Sequence, residues 1–274
     1  MDLNLTTYYN EASTLYKSMA QQARRMTEKW AADNLYCPKC GRSLNQYPNN
    51  TPVYDFYCNH SNEKVAVISA TRDNFQLKSG QNFPDNNFPD RIQGAEYNTT
   101  FNSLKQGTFP SLILLHYEKQ KHIVKDVLLL HRLSITLSCI KPRNPLNSTA
   151  QRKGWQGCII SLDKIPQIGR IRLVNNSKIV PKNLVLYKWA YITKLLKGDI
   201  IQRGWTADII NFIEQLPRRF TLSDLYKYEN QLIVLHPQNK HVKDKIRQQL
   251  QILRDRGFIR FKEPGMYEKV SNLT

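Results

Sequence analysis

Acidic residues are scarce in this chain: 22 Asp and Glu stand against 40 Lys and Arg, a formal charge of +18 over 274 residues. Such a balance disfavours a neutral small molecule as principal partner and favours a polyanion, with nucleic acid first. Long apolar runs are missing as well. No window approaches the roughly 18 apolar residues of a membrane span. The start, Met1-Asp2-Leu3-Asn4-Leu5, lacks the charged opening and apolar stretch of a signal peptide. The expectation is a soluble, cytoplasmic protein of prokaryotic type with no membrane partner. Cysteine is sparse too. Three of the five lie between positions 37 and 58, and Cys139 and Cys158 are isolated, which excludes a secreted disulfide framework and fits a reducing compartment.

What is present divides into two parts. A 41% hydrophobic content is enough for real cores, and the pattern changes near Gly204, giving an expected front domain over 1–203 and a back domain over 204–274. Only 12 of the basic and 8 of the acidic residues follow Gly204, so most of the excess charge belongs to the front. There, Leu15, Met19, Ala23, Met26 and Trp30 recur at helical spacing and predict an amphipathic helix over 10–32 with a buried stripe. The stretch Gln81 to Asp90 reads as a surface loop, and Ser111–Tyr117 and Lys125–Leu130 read as buried strands of a mixed sheet.

Behind Gly204, Trp205–Ile213 predicts one helix, Thr221 caps a second, and His241–Arg256 a third. In the third, Val242, Ile246, Leu250 and Leu253 share one face and Lys240, Lys243, Asp244, Arg247 and Gln248 lie on another. Gly257 stops it, and Phe258–Lys262 with Met266–Val270 forms a hairpin. Three helices and a two-stranded wing make a winged helix, whose third helix enters the major groove. Winged helices also bind proteins, but the basic outer face favours DNA.

Two motifs carry chemistry. Cys37-Pro38-Lys39-Cys40 is a tight loop that presents two thiolates to one tetrahedral ion, and Cys58 follows after 17 intervening residues, ribbon spacing for structural zinc. Plain buried thiols are the alternative. Asp55, with the later triplet Gln76-Leu77-Lys78, has the D...QxK pattern that gathers an oxygen ligand for a divalent cation, a second ligand and a cation around one point. Phosphodiester hydrolysis needs that set: charge neutralisation and water activation by metal, and a Lys to orient or stabilise the attacking oxygen.

Tyr36-Cys37-Pro38-Lys39-Cys40-Gly41, Asp55-Phe56-Tyr57-Cys58-Asn59-His60, Leu77-Lys78-Ser79, Gly154-Trp155-Gln156-Gly157-Cys158, Arg203-Gly204-Trp205-Thr206 and Lys245–Asp255 together resemble the DpnI-type methyl-directed restriction endonucleases over nearly the whole chain. The resemblance implies an α/β nuclease core of the PD-(D/E)xK class with an embedded zinc-ribbon-like site, a C-terminal winged-helix domain, and cleavage of double-stranded DNA at adenine-methylated GATC. It implies Asp55, Gln76 and Lys78 as catalytic residues, with magnesium held by Asp55, Gln76 and the Leu77 carbonyl. The second position departs, an amide replacing the acid. The interval before it is longer, contains a candidate extra strand Val65–Ser69, and offers Glu63 and Asp73 as replacement carboxylates. The family's fourth zinc cysteine falls on Ser61, so His60 is the expected fourth ligand beside Cys37, Cys40 and Cys58. Arg152, Lys153 and Trp155 fall in the family's target-contact loop. A monomer is expected. The rival readings are a catalytically impaired methyl-DNA-binding protein or repressor and, more weakly, a transcription factor with an unrelated sensing domain.

Overall fold

The computed structural model describes residues 1–48, 51, 53–71, 88–147 and 149–270. Strands β1 (Asn45–Gln46), β2 (Phe56–Tyr57), β3 (Lys64–Thr71), β5 (Ser111–Glu118), β6 (Ile123–Leu130), β9 (Arg170–Asn175) and β10 (Lys178–Ile179) form one sheet, adjacent in that order. β3 and β5 run parallel and the other neighbours antiparallel, the mixed sheet expected from the sequence. β5 and β6 read as near-continuous apolar runs because both faces of the sheet are covered. Ile113, Leu115, Val127 and Leu129 enter one core; Leu112, Leu114, Leu128 and Leu130 enter the other. The first core is closed by α2 (Met19–Asn34) and α4 (Lys182–Leu195) through Met26, Trp30, Val185 and Trp189. The second is closed by a three-stranded antiparallel sheet of β4 (Arg91–Glu96), β8 (Gly157–Ser161) and β7 (Ile140–Pro142), together with α3 (Tyr97–Lys105).

Two expectations for the front half need correction. The opening helix is two helices, α1 (Thr6–Leu15) and α2, because Tyr16 is extended at φ −132°. The break takes Leu15 and Met19 out of the stripe and leaves them 60% and 52% exposed, while Met26 and Trp30 stay buried. Of the expected loop 81–90, residues 81–87 lie outside the described residues, and Phe88 is not a surface residue but part of the second core.

The back of the chain is a winged helix: α5 (Ile200–Gln215), β11 (Arg219–Thr221), α6 (Leu222–Tyr226), α7 (Glu229–Leu235), α8 (Val242–Asp255), β12 (Ile259–Glu263) and β13 (Met266–Lys269). Thr221 caps α6 through its hydroxyl, which accepts from the Asp224 N–H at 3.2 Å, and the Asp224 carboxylate returns a bond to the Thr221 N–H at 2.9 Å. Val242, Ile246, Leu250 and Leu253 are buried, as the spacing predicts. Gly265, at φ +75°, makes the turn of the wing, where a side chain would be strained. Helix α5 runs through Arg203 and Gly204, where the sequence pattern changes, and it is buried from Arg203 to Ile210 without interruption. The run covers more than two turns and so faces every side of the helix, with the polar Arg203, Thr206 and Asp208 buried among apolar neighbours. Its core is continuous with that under the large sheet.

Candidate functional site

Asp55 is fixed to β3 from both ends. Its N–H donates to the Val65 carbonyl at 3.0 Å, and its Oδ2 accepts from the Val67 N–H at 2.7 Å. The strand beside the carboxylate is thus the extra strand of the sequence reading, and at the Asp55 cleft it contributes Ala66, Val67 and Ile68. Gln76, Leu77, Lys78 and Asp73 lie outside the described residues. Glu63 is buried and engaged elsewhere, with Oε1 3.3 Å from Arg132 Nε and accepting from Ser111 Oγ at 3.4 Å.

Two clefts meet at Asp55. One of about 180 Å³ passes Ala66, Ile68, Gln93 and Gly94, and a smaller one of about 50 Å³ is lined by Arg24, Glu28, Gln46 and Tyr54. Burial pushes the Asp55 carboxyl above its ordinary value; the Val67 N–H opposes this, the Glu28 charge adds to it, and Arg24 opposes it. Glu28 is itself held by Arg24, Oε1 to Nε 2.6 Å, one turn apart on α2. Among the described residues the smaller cleft therefore carries two carboxylates, hard oxygen donors of the type magnesium takes. Ala66 and Ile68 offer no side-chain ligand.

The sulfur atoms of Cys37, Cys40 and Cys58 all lie within 4.8 Å of one another, a group able to hold a metal such as zinc. Exposed His60 is not part of that cluster. The neighbour is Ser61, whose Oγ is 3.1 Å from Cys37 Sγ, and Cys40 and Cys58 Sγ are 3.5 Å apart. Burial raises the Cys37 thiol to about 11. At Cys58 burial also acts upward, but hydrogen bonds from Ser61 and from backbone N–H groups outweigh it and bring the thiol down to about 7. Thiolate is the form that binds metal, so Cys58 is prepared for ligation. Cys139 and Cys158 are buried in the other core.

Arg152 and Lys153 are exposed at the tip of a loop between β7 and β8, closed by Leu146 N–H to the Trp155 carbonyl at 2.9 Å. Trp155 is half-buried, its ring lying against Gly157, where an added Cβ would come within 2.8 Å of it. On α8 and the residue leading into it, Lys240, Lys243, Asp244, Arg247 and Gln248 are all exposed. Two of the cations are braced: Lys243 pairs with Glu229 at 3.4 Å, Arg247 with Asp244 at 3.3 Å, and both lie over the Tyr226 ring. Such bracing restricts the rotamers of exposed donors ahead of any partner.

The DpnI model, described as the Dam-replacing family, matches residues 1–198, and the Dam-replacing HTH domain matches residues 201–269. The chain belongs to the Dam-replacing family. Membership gives it a DpnI-type architecture with a C-terminal winged helix, a methylation-dependent, restriction-type function of the nuclease class, and DNA as its partner. Among the described residues no helix is long and apolar enough to cross a membrane.

In this Dam-replacing protein, sequence reasoning missed Glu28 at the Asp55 cleft and Asp208 between the two halves. Asp208 accepts from Ser138 Oγ at 3.1 Å and pairs with His236 Nε2 at 2.9 Å, and His236 stacks on Trp205 with ring centroids 3.9 Å apart. Ser138 precedes Asp208 by 70 positions, so no local pattern links them. Glu28, spaced four from Arg24, has the signature of an ordinary surface pair.

Proposed function

We propose that the chain is a type II site-specific deoxyribonuclease of the PD-(D/E)xK class that cuts double-stranded DNA at adenine-methylated GATC, working as a monomer inside the cell. The observation that carries this is the Asp55 carboxylate, held by the Val67 N–H where two clefts meet, in a chain of the Dam-replacing family. Asp55 would hold magnesium, with Gln76 and the Leu77 carbonyl completing the family set and Lys78 positioning the attacking water; the last three lie outside the described residues. When bound, the ion supplies neutralisation of the phosphate and activation of water. The chain's own part is to orient that carboxylate and keep its charge against burial.

Structural zinc at Cys37, Cys40 and Cys58 would tie the turn before Asp55 to the turn after β2. Arg152, Lys153 and Trp155 would meet the methylated base pair from the nuclease unit, 1–203. Lys240, Lys243, Asp244, Arg247 and Gln248 would meet it from the winged-helix unit, 204–274. An adenine methyl lies in the major groove, where an aromatic surface such as Trp155 distinguishes it by contact and loss of water. Each such contact is worth about 1–3 kcal/mol, so reading from two units multiplies the discrimination.

Ala66 and Ile68 beside Asp55 favour a second reading, a methyl-DNA-binding protein that holds its site without cutting. Purified protein with magnesium and two plasmids, one adenine-methylated at GATC and one not, separates the two. Methylation-dependent fragments, lost in Asp55→Ala with binding retained, are expected. Methylation-dependent binding with no fragments would establish the second reading, and equal treatment of both plasmids would remove both.

A further inference from the structure

The two halves of the cysteine site are built to one plan. In the first turn the Cys37 N–H donates to the Arg42 carbonyl at 2.8 Å and the Gly41 N–H donates to the Cys37 carbonyl at 2.7 Å. In the second, the Cys58 N–H donates to the Glu63 carbonyl at 2.9 Å and the Asn62 N–H to the Cys58 carbonyl at 2.9 Å. Gly41 and Asn62 both take the left-handed conformation, at φ +75° and +55°. Position for position, Cys58 matches Cys37, Asn62 matches Gly41, and Ser61 stands where Cys40 stands. His60 matches Lys39, and both are exposed. A histidine at that position is carried on the outside of the turn, away from the point on which the sulfurs converge.

We infer that Ser61, through its hydroxyl oxygen, is the fourth ligand of the metal held by Cys37, Cys40 and Cys58, and that His60 takes no part. The inference rests on the zinc reading of the cluster. A tetrahedron with zinc-sulfur bonds of about 2.3 Å and a zinc-oxygen bond of about 2.1 Å has edges of about 3.6 to 3.8 Å. The Cys40 to Cys58 separation of 3.5 Å falls about 0.3 Å inside its edge and the Ser61 Oγ to Cys37 Sγ separation of 3.1 Å about 0.5 Å inside, with all three sulfurs within 4.8 Å of one another, so small side-chain adjustments admit the ion. The Ser61 backbone is held by Lys39 Nζ, which donates to its carbonyl at 3.2 Å, and the Glu63 N–H points at its Oγ from 3.4 Å. Three thiolates and a neutral hydroxyl leave a zinc site with a charge of −1, against −2 for four thiolates, and a hydroxyl is the weakest of the four donors. Such a site holds a divalent ion less tightly than a four-cysteine ribbon and exchanges it more readily.

The test uses the full chain under reducing conditions, loaded with zinc or with cobalt as its spectroscopic substitute. The wild type is expected to bind one ion, with thiolate-to-cobalt charge transfer of an intensity fitting three sulfurs. His60→Ala should leave that spectrum and the zinc affinity unchanged. Ser61→Ala should shift the cobalt d–d bands and weaken zinc binding by at least about tenfold, the lower end of what even an outer-shell partner is worth. Ser61→Cys should raise the charge-transfer intensity to that of four sulfurs and slow removal by a chelator. A changed spectrum in His60→Ala with Ser61→Ala unaffected would transfer the role to His60. Two unaffected variants would assign the position to water. Either result overturns the inference while leaving zinc in place; a wild type that binds neither ion would remove the zinc reading itself.

Discussion

Replacing Asp55 by Asn keeps an oxygen within reach of the Val67 N–H and removes the charge, so it separates what the residue does for folding from what it does for chemistry. Burial raises the Asp55 pKa above its unfolded value, with Glu28 adding to the rise. A carboxyl shifted in that direction contributes stability below its unfolded pKa and loses it as pH rises through the folded pKa. At neutral pH the ionised group is thus a cost, and Asp55→Asn is expected to leave the melting temperature unchanged or raise it while abolishing cleavage. A fall in melting temperature would show that the negative charge is structurally required, most directly by Arg24. In the protein without magnesium the Asp55 carboxyl is expected to take up its proton at a higher pH than an exposed aspartate would, which an NMR titration of the metal-free protein reads directly.

Among the elements, the loop between β7 and β8 depends on one glycine for its shape. An added Cβ at Gly157 would come within 2.8 and 2.9 Å of the Trp155 ring, so Gly157→Ala has to push the indole off the strand. If Trp155 reads the methyl, this variant should lose discrimination between methylated and unmethylated duplex by up to about tenfold, within the 1–3 kcal/mol of one base-pair contact. Affinity for unmethylated DNA should change little, because Arg152 and Lys153 at the loop tip remain exposed to phosphate. Titration of the two duplexes at one salt concentration provides the comparison. Unaltered discrimination would make Trp155 a packing residue only.

Across the whole molecule, the two halves are joined by polar groups that local sequence does not pair. Asp208 serves both Ser138 and His236 inside a cavity of about 400 Å³ that is lined from both halves. Glu214 on the same helix accepts from the Gln167 and Ile168 N–H groups at 2.7 and 2.8 Å. Asp208→Ala removes the carboxylate from two half-buried partners at once, of which Ser138 keeps Thr136 Oγ1 at 2.8 Å, and is expected to cost about 2 kcal/mol, the scale of a hydrogen bond to a charged group. Urea unfolding would measure it, with an early separate transition if the winged helix detaches first. An unchanged midpoint would mean that Asp208 adds nothing to the junction and that Glu214 and the apolar surface of α5 hold the halves together.

Short-range spacing in the chain encodes a definite part of this molecule. The face of α8, the Thr221 cap, the apolar strands β5 and β6 and the Cys37–Cys40 knuckle follow from residues within a turn or a strand of one another, and the family follows from several such motifs taken in order along the chain. Tertiary structure decided which groups meet. It placed Ala66 to Ile68 beside Asp55, took Glu63 to Arg132 and Ser111, broke the opening helix at Tyr16, buried Phe88, and turned Ser61 toward the sulfurs with His60 exposed. Those outcomes depend on strand pairing, on an extended residue such as Tyr16 or on a left-handed one such as Asn62, each of which changes where the neighbouring side chains point. A shift of one residue in that pairing reverses inside and outside without altering the composition or the motif.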